Sequence, residues 1–342
     1  MFLGIEIGGT KLQLGVGPGD GRPLVALQRA DVEPEQGAEG ILQQLERIGA
    51  ELIEQHGVER IGIGFGGPVD ADAGRTVTSH QVEGWDDFPL ADWCRRTLGR
   101  PAVMGNDSDL AGLGEARFGA GRAHRVVFYS NVGSGIGGAL VVDGQLYRGG
   151  SGVASEIGHL RPGLQSDRAD QTVESLASGW AIAAAARARL SDPASLPLGR
   201  LTENDRPGEP EEVRQRLIER EEADERFAGD LLERCHGEVD RLSAAMVAQA
   251  AAEGNGLARE VFQRASQAYG WALAQMITLL APEVVVIGGG VSLVGEALWF
   301  GPLRAQVDRY VFPPLRGRYQ IVPAELGEEV VLHGALAIAA AG

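Results

Sequence analysis

Leu3-Gly4-Ile5-Glu6-Ile7-Gly8-Gly9-Thr10-Lys11-Leu12-Gln13-Leu14-Gly15-Val16 reads as strand, turn, strand. Leu3, Ile5 and Ile7 alternate with small or polar residues, Gly8 to Lys11 turns the chain, and Leu12, Leu14 and Val16 alternate again. Period-two patterning on both sides of a glycine turn marks a half-buried hairpin. The pattern returns about 120 residues later, as expected of an internal duplication. Val126-Val127-Phe128-Tyr129 is a strand, Gly133-Ser134-Gly135-Ile136-Gly137-Gly138 a glycine turn, and Ala139-Leu140-Val141-Val142 a strand closed by Asp143-Gly144. Two copies predict two similar halves with a cleft between them.

The intervening chain fits that plan. Ile41, Leu42, Leu45, Ile48, Leu52 and Ile53 fall at helical spacing. Ile61 to Phe65 is a short buried strand that ends in Gly66-Gly67-Pro68. Leu90 to Leu98 is a short helix, and Pro101 to Met104 a strand entering Gly105-Asn106-Asp107. Alternating strands and helices indicate a mixed α/β sheet covered by helices. Further on, Leu257, Val261, Ala265, Tyr269, Ala272, Met276 and Leu280 share one helix face, which Pro282 stops before the strand Val284 to Ile287. A third glycine cluster, Gly288-Gly289-Gly290, follows.

At 342 residues the chain predicts two domains, three at most. Hydrophobic residues at 44% and charged residues at 23% exclude wholesale disorder. The net charge of −16 repels phosphate backbones, so nucleic acid and anionic membrane are poor partners. Cys94 and Cys235 are the only cysteines, which excludes a disulfide framework and fits a reducing, cytoplasmic setting. No secretory leader is expected from Met1 to Glu6. In residues 191–230, 18 of 40 are charged, 12 acidic and 6 basic. That density predicts a solvated insertion, helical from about Glu211 to Glu225.

Glycine, at 50 residues, is about twice its usual share. A phosphate needs several N–H donors converging on one point, and glycines supply them without a β-carbon in the way. Three such turns after apolar strands suit two phosphates and an adenosine, although a tight hairpin explains any one alone. Gly133 to Gly138 matches the G-x-G-x-x-G dinucleotide fingerprint in letters, yet it opens a strand where that fingerprint opens a helix. A phosphate loop of the G-x-x-x-x-G-K type is absent, since Thr10 stands where its lysine belongs. Lys11 is the only lysine, against 30 arginines, and it sits beside the first turn. A compact ammonium suits a nucleotide phosphate.

Asn106-Asp107 leaves a buried strand and opens a helix running to Glu115. An aspartate there is a candidate general base, with a helix N-cap as the alternative. Glu156-Ile157-Gly158-His159 puts an acid and an imidazole three apart, on one face if helical, and Glu174 begins a helix ending near Ser178-Gly179. Asn, Asp, Glu and His side chains suit a polyol, whose hydroxyls each donate and accept.

These motifs resemble the ROK family of sugar kinases and sugar-responsive repressors, within the sugar kinase–heat-shock–actin superfamily. The likeness runs through Gly4 to Val16, Gly64 to Asp70, Gly84-Trp85, Asn106 to Glu115, Gly133 to Gly138, Glu156 to His159, Glu174 to Gly179 and Gly288 to Ser292, in the family's order. It implies a duplicated actin-like (ribonuclease H-like) ATPase fold. The domains would be 1–105 plus 330–342 and 106–329, with an interdomain cleft. It implies that Asp107 is the general base toward a sugar's primary hydroxyl, with Asn106, Glu156, His159, Glu174 and the backbone near Gly67 holding the ring. Gly8, Gly9, Thr10 and Lys11, with Gly133, Ser134, Gly135, Gly137 and Gly138, would hold the phosphates of ATP, and Gly289 and Gly290 the adenosine. Mg2+ would be held mainly through the nucleotide. Dimers or tetramers are the family's assemblies.

Four departures stand out. Glu6 replaces an Asp thought to help hold the magnesium shell, Asp109 replaces the second Asn of N-D-x-N, and Gly66 stands where Pro is common. The zinc loop that usually follows the histidine is here Arg161 to Thr172, shorter and without cysteine. Four N or S ligands make a tetrahedral zinc site, so no structural zinc is expected and His159 is left to the sugar, or to a packing or capping role. A hexose kinase of glucokinase type is the leading expectation. A non-catalytic sugar sensor is the alternative, and a DNA-binding repressor is set aside because no helix-turn-helix module precedes Gly4.

Overall fold

The computed structural model describes residues 1–79, 81–163, 168–191 and 211–342, side chains of residues 211–222 excepted. The first half opens with β1 (Phe2–Ile7), β2 (Lys11–Gly17) and β3 (Ala26–Asp31), followed by α1 (Gly37–His56) and β4 (Arg60–Phe65). A two-stranded ribbon, β5 (Val69–Asp70) and β6 (Arg75–Thr76), precedes α2 (Leu90–Thr97), β7 (Ala102–Asn106) and α3 (Asp107–Phe118). The second half repeats the scheme with β8 (Val126–Val132), β9 (Ile136–Val142) and β10 (Gln145–Tyr147). Helices α4 (Glu174–Ala177), α5 (Gly179–Ser191), α6 (Glu211–Arg234), α7 (Ala244–Ala252) and α8 (Gly256–Leu280) lead to β11 (Val284–Gly288), α9 (Gly301–Tyr310), β12 (Gln320–Pro323) and α10 (Val330–Ala341).

The duplication is visible in the sheets. One has the order β3-β2-β1-β4-β7 and the other β10-β9-β8-β11-β12. In each, the central strand pairs antiparallel with its hairpin partner and parallel with the strand on its other side. This is the duplicated actin-like ATPase fold. Parallel strands buried on both faces read as near-continuous apolar runs, and Val284 to Ile287 in β11 are fully buried. Helix α10 packs on β1, β4 and α3, and α3 in turn packs on β8 and β9, so the two helices join the sheets. Close approach along that seam requires glycine: a β-carbon at Gly334 would overlap the backbone of Leu110, and one at Gly62 that of Ala335. Glu115 is fully buried there, accepting from the amides of Ala120 (2.8 Å), Glu325 (2.9 Å) and Leu326 (2.8 Å).

Three details differ from the sequence reading. The second glycine turn covers only Gly133 to Gly135, because Ile136, Gly137 and Gly138 already pair with β8. The apolar stripe of α8 is buried through Met276, but Leu280 is 38% exposed, since Ala281 adopts a left-handed cap (φ 45°) and ends the helix at the surface. The predicted helix from Glu211 runs on to Arg234; residues 192–210 of the charged insertion lie outside the described residues. Among the described residues no helix is long and apolar enough to cross a membrane.

Candidate active site

Parallel pairing of β4 with β7 sets Phe65 beside Asn106, so both strands release their following residues at one edge. Trp85 is buried and meets Phe65 and Phe88 edge-on, at ring-centroid distances of 5.3 and 5.4 Å. That cluster fixes Phe65, whose ring would stand 3.0 Å from a β-carbon on Gly67. Asn106, not Asp107, is the N-cap of α3: its Oδ1 accepts from the amides of Ser108 (2.9 Å) and Asp109 (3.3 Å). Its Nδ2 donates to Gly67 O (3.0 Å), tying the two strand exits together.

With the cap assigned to its neighbour, Asp107 is free for other work. Oδ1 accepts from the amide of Ser108 (2.7 Å) and faces its hydroxyl at 3.3 Å. Oδ2 lies on the side of Gly66, 3.5 Å from where a β-carbon there would stand, and the Cα of Gly8 is equally near that point. Burial pushes the Asp107 carboxyl up from its ordinary range, opposed by hydrogen bonds from Ser108 and Asn106.

A cavity of about 470 Å³ opens over this floor. It brings together Gly67, Asn106, Asp107, Glu156, His159 and Glu174, the whole expected sugar clamp, along with Gly135, Gly137 and Gly138. Glu156 precedes a 3-10 turn over Ile157–His159, and its carboxyl is raised first by burial, then by Asp107 and Glu174, with His159 opposing. Glu174 braces the glycine turn as well, since its Oε2 accepts from the amide of Ile136 (2.7 Å). Gly137 has a packing reason for its identity: a β-carbon would strike Ser108 Oγ and lie 2.8 Å from Asn131 Oδ1.

The second cavity, about 600 Å³, lies on the other side of the same turn. Gly133, Ser134 and Gly290 line it together with Gly179, Trp180 and the N-terminus of α7. Gly289 does not line it; at φ 85° it packs on the end of β8, where a β-carbon would lie 2.5 Å from Val132 O. The amide of Gly179 donates to Gly133 O (2.7 Å), which fixes the turn against α5. The first turn is placed differently. Gly8, Gly9, Thr10 and Lys11 line neither cavity, the Gly8 amide donates to Lys11 O (2.9 Å), and the Gln81 side chain lies on Gly9. Glu6 points to Gln13, whose Nε2 donates to it at 2.7 Å; burial raises its carboxyl while Lys11 lowers it.

Sequence reasoning passed over Gln81, Ser108, Asn131 and Arg148, all of which line the first cavity. Asn131 Oδ1 accepts from the amide of Gly137 (3.0 Å) and the hydroxyl of Ser108 (3.1 Å), linking α3 to the second sheet. A polar residue at the end of an apolar strand, just before a glycine turn, was the available signal. Of the Arg161 to Thr172 loop, residues 164–167 lie outside the described residues. No group of three His, Cys, Asp or Glu side chains among the described residues is spaced to hold a metal ion.

The chain is similar to known proteins over nearly its whole length. The chain is 28% identical over 337 residues to the glucokinase of Thermotoga maritima, covering 98% of this chain and 96% of that one. It is 29% identical over 347 residues to the glucokinase of Streptomyces coelicolor, covering 99% and 97%. The crystal structure of a ROK family glucokinase from Streptomyces griseus, in complex with glucose and AMPPNP, superposes with a TM-score of 0.79 at 31% identity, covering 100% of this chain and 99% of that one. The model of the ROK family matches residues 2–341, almost end to end, and the chain belongs to the ROK family.

Proposed function

We propose that this protein transfers the γ-phosphoryl group of ATP to the primary hydroxyl of a hexose, glucose first among them, with Asp107 as general base. The observation that carries the reading is the position of Asp107: half-buried at the floor of the first cavity, with a glycine turn dividing that cavity from a second one. The Streptomyces griseus relative, solved with glucose and AMPPNP, supports one site for a sugar and one for a nucleotide.

In this mechanism the hexose sits over Asp107, held by Glu156, His159, Glu174, the remaining Nδ2 hydrogen of Asn106 and the carbonyl of Gly67. The nucleotide lies in the second cavity, its adenosine near Gly290 and its phosphates reaching the amides of Ser134 and Gly135, with the turn at Gly8 to Lys11 meeting them when the domains close. The sugar hydroxyl gives its proton to the Asp107 carboxylate as its oxygen bonds to the γ-phosphorus, and the bond to the bridging oxygen breaks to release ADP. Positioning and charge neutralisation supply most of the acceleration in phosphoryl transfer, while the base contributes about 10²–10⁴-fold. Magnesium, carried on the nucleotide, would supply part of that neutralisation, with Glu6 as the nearest acid of the first hairpin. Domains 1–105 plus 330–342 and 106–329 would close to exclude water. The reading includes a cytoplasmic location and assembly as a homodimer or homotetramer, with neither nucleic acid nor membrane as a partner.

A sugar-binding protein without turnover is the competing reading, and it draws on Glu6 being engaged by Gln13. A coupled assay for ADP release over a panel of hexoses, with ATP and polyphosphate as donors, separates the two. Turnover of at least one hexose is the expected result. Sugar binding without turnover of any of them would overturn the kinase reading.

A further inference from the structure

Asp109 and Arg148 both line the sugar cavity and have no place in the mechanism above. Asp109 sits in the first turn of α3, its backbone fixed by the Asn106 cap at 3.3 Å. Arg148 follows β10, on the second sheet. Arg148 is the first opposite charge acting on Asp109, with Glu156 and Asp107 acting as like charges. Yet among the described residues neither the Asp109 carboxylate nor the Arg148 guanidinium makes a hydrogen bond or an ion pair. Two opposite charges that share a cavity without touching leave room for a bridging group. A hydroxyl suits such a pair, since it donates to a carboxylate and accepts from a guanidinium at once. An ammonium only donates, so it would leave Arg148 without an acceptor. A sugar carboxylate only accepts, and it would face Asp107, Asp109 and Glu156.

We propose that Asp109 and Arg148 together read one ring hydroxyl, so that the cavity takes a neutral hexose and turns away anionic sugar acids. The proposal rests on the sugar cavity of the kinase reading and adds the substrate's charge class.

Calorimetric titration of the full chain with glucose, glucosamine and glucuronate, without nucleotide and at about pH 7 where an alkylamine is charged, tests it apart from turnover. The unmodified protein should bind glucose at least about tenfold more tightly than glucuronate. Arg148→Gln should shift the glucosamine-to-glucose affinity ratio about tenfold toward glucosamine. Asp109→Asn should weaken glucose by about tenfold and leave that ratio unmoved or lower. Thermal melts within a few degrees of the parent show that the variants fold; if Arg148→Gln does not, Arg148→Lys, which keeps the charge but loses the fork, should weaken glucose without favouring glucosamine. Glucose binding without phosphorylation would sink the kinase reading and leave the pair standing. Phosphorylation of glucose with both variants binding all three ligands as the parent does would sink the pair alone.

Discussion

The two hairpin turns share a sequence pattern and a place in the topology, but their surroundings differ. The turn between β1 and β2 lies under Gln81 and borders neither cavity. The turn between β8 and β9 is the wall between both cavities, with Gly135 facing one and Gly133 and Ser134 the other. Side chains from afar hold it: Glu174 on Ile136, Asn131 on Gly137, and the amide of Gly179 on Gly133. A glycine turn thus becomes a site through its neighbours. The repeated hairpin supplies exposed amides, and the elements packed around it decide whether a ligand reaches them.

Asp107→Asn tests that contrast most severely, because it removes the base while keeping the cap on Asn106 intact. We expect kcat to fall by about 10²–10⁴-fold, with sugar affinity within about tenfold, measured by steady-state kinetics and titration. Unchanged turnover would move the chemistry away from the floor between the turns.

The seam that joins the halves comes next. Glu115→Gln keeps the shape but sets an amide against backbone donors, so we expect a loss of about 2–4 kcal/mol in denaturant unfolding. A loss below about 0.5 kcal/mol would mean the two sheets do not depend on that carboxylate for their union.

Gly133→Ala separates the turns by activity rather than by fold. A β-carbon there meets nothing within 4 Å, so melting should be unchanged. Nucleotide KM should rise about tenfold if phosphates approach that face. Gly9→Ala presses on Gln81, whose Cβ would stand 2.8 Å away, and should change nucleotide KM less. Equal effects at both positions would erase the asymmetry between the turns.

The smallest effect concerns pH. Burial raises Asp109 to about 6, with Glu156 and Asp107 adding to it against Arg148. A carboxyl whose folded pKa lies above its unfolded value stabilises the fold at low pH, and that contribution is lost as pH rises through about 6. Relative to Asp109→Asn, the ligand-free protein should lose about 1–2 kcal/mol between about pH 4 and pH 7. Chemical denaturation at both pH values reads the difference; a gap that stays constant would place Asp109 in solvent.

Local patterning made much of this legible. Alternation in Leu3 to Val16 and in Val126 to Val142 is set by neighbours along the chain, so the strands, the turns and the duplication could be read directly. Motif order added the expected clamp, and Gly67, Asn106, Asp107, Glu156, His159 and Glu174 do meet in one cavity. The end of the second turn was misjudged because Gly137 and Gly138 look like turn residues. Their missing β-carbons instead make room for Ser108 and Asn131 in one case, and for Ser155 O and Phe128 in the other.

The amino-acid sequence by itself determined two copies of one hairpin, an acid at a strand exit and a net charge of −16, because these depend on local periodicity and summed charge. Only the tertiary structure decided which residue caps α3, which turn parts the cavities and which charges share one. Those outcomes depend on atoms from distant segments, Ser108 with Asn131, Gln81 with Gly9 and Asp109 with Arg148, whose approach is set by how the two sheets pack around α3 and α10.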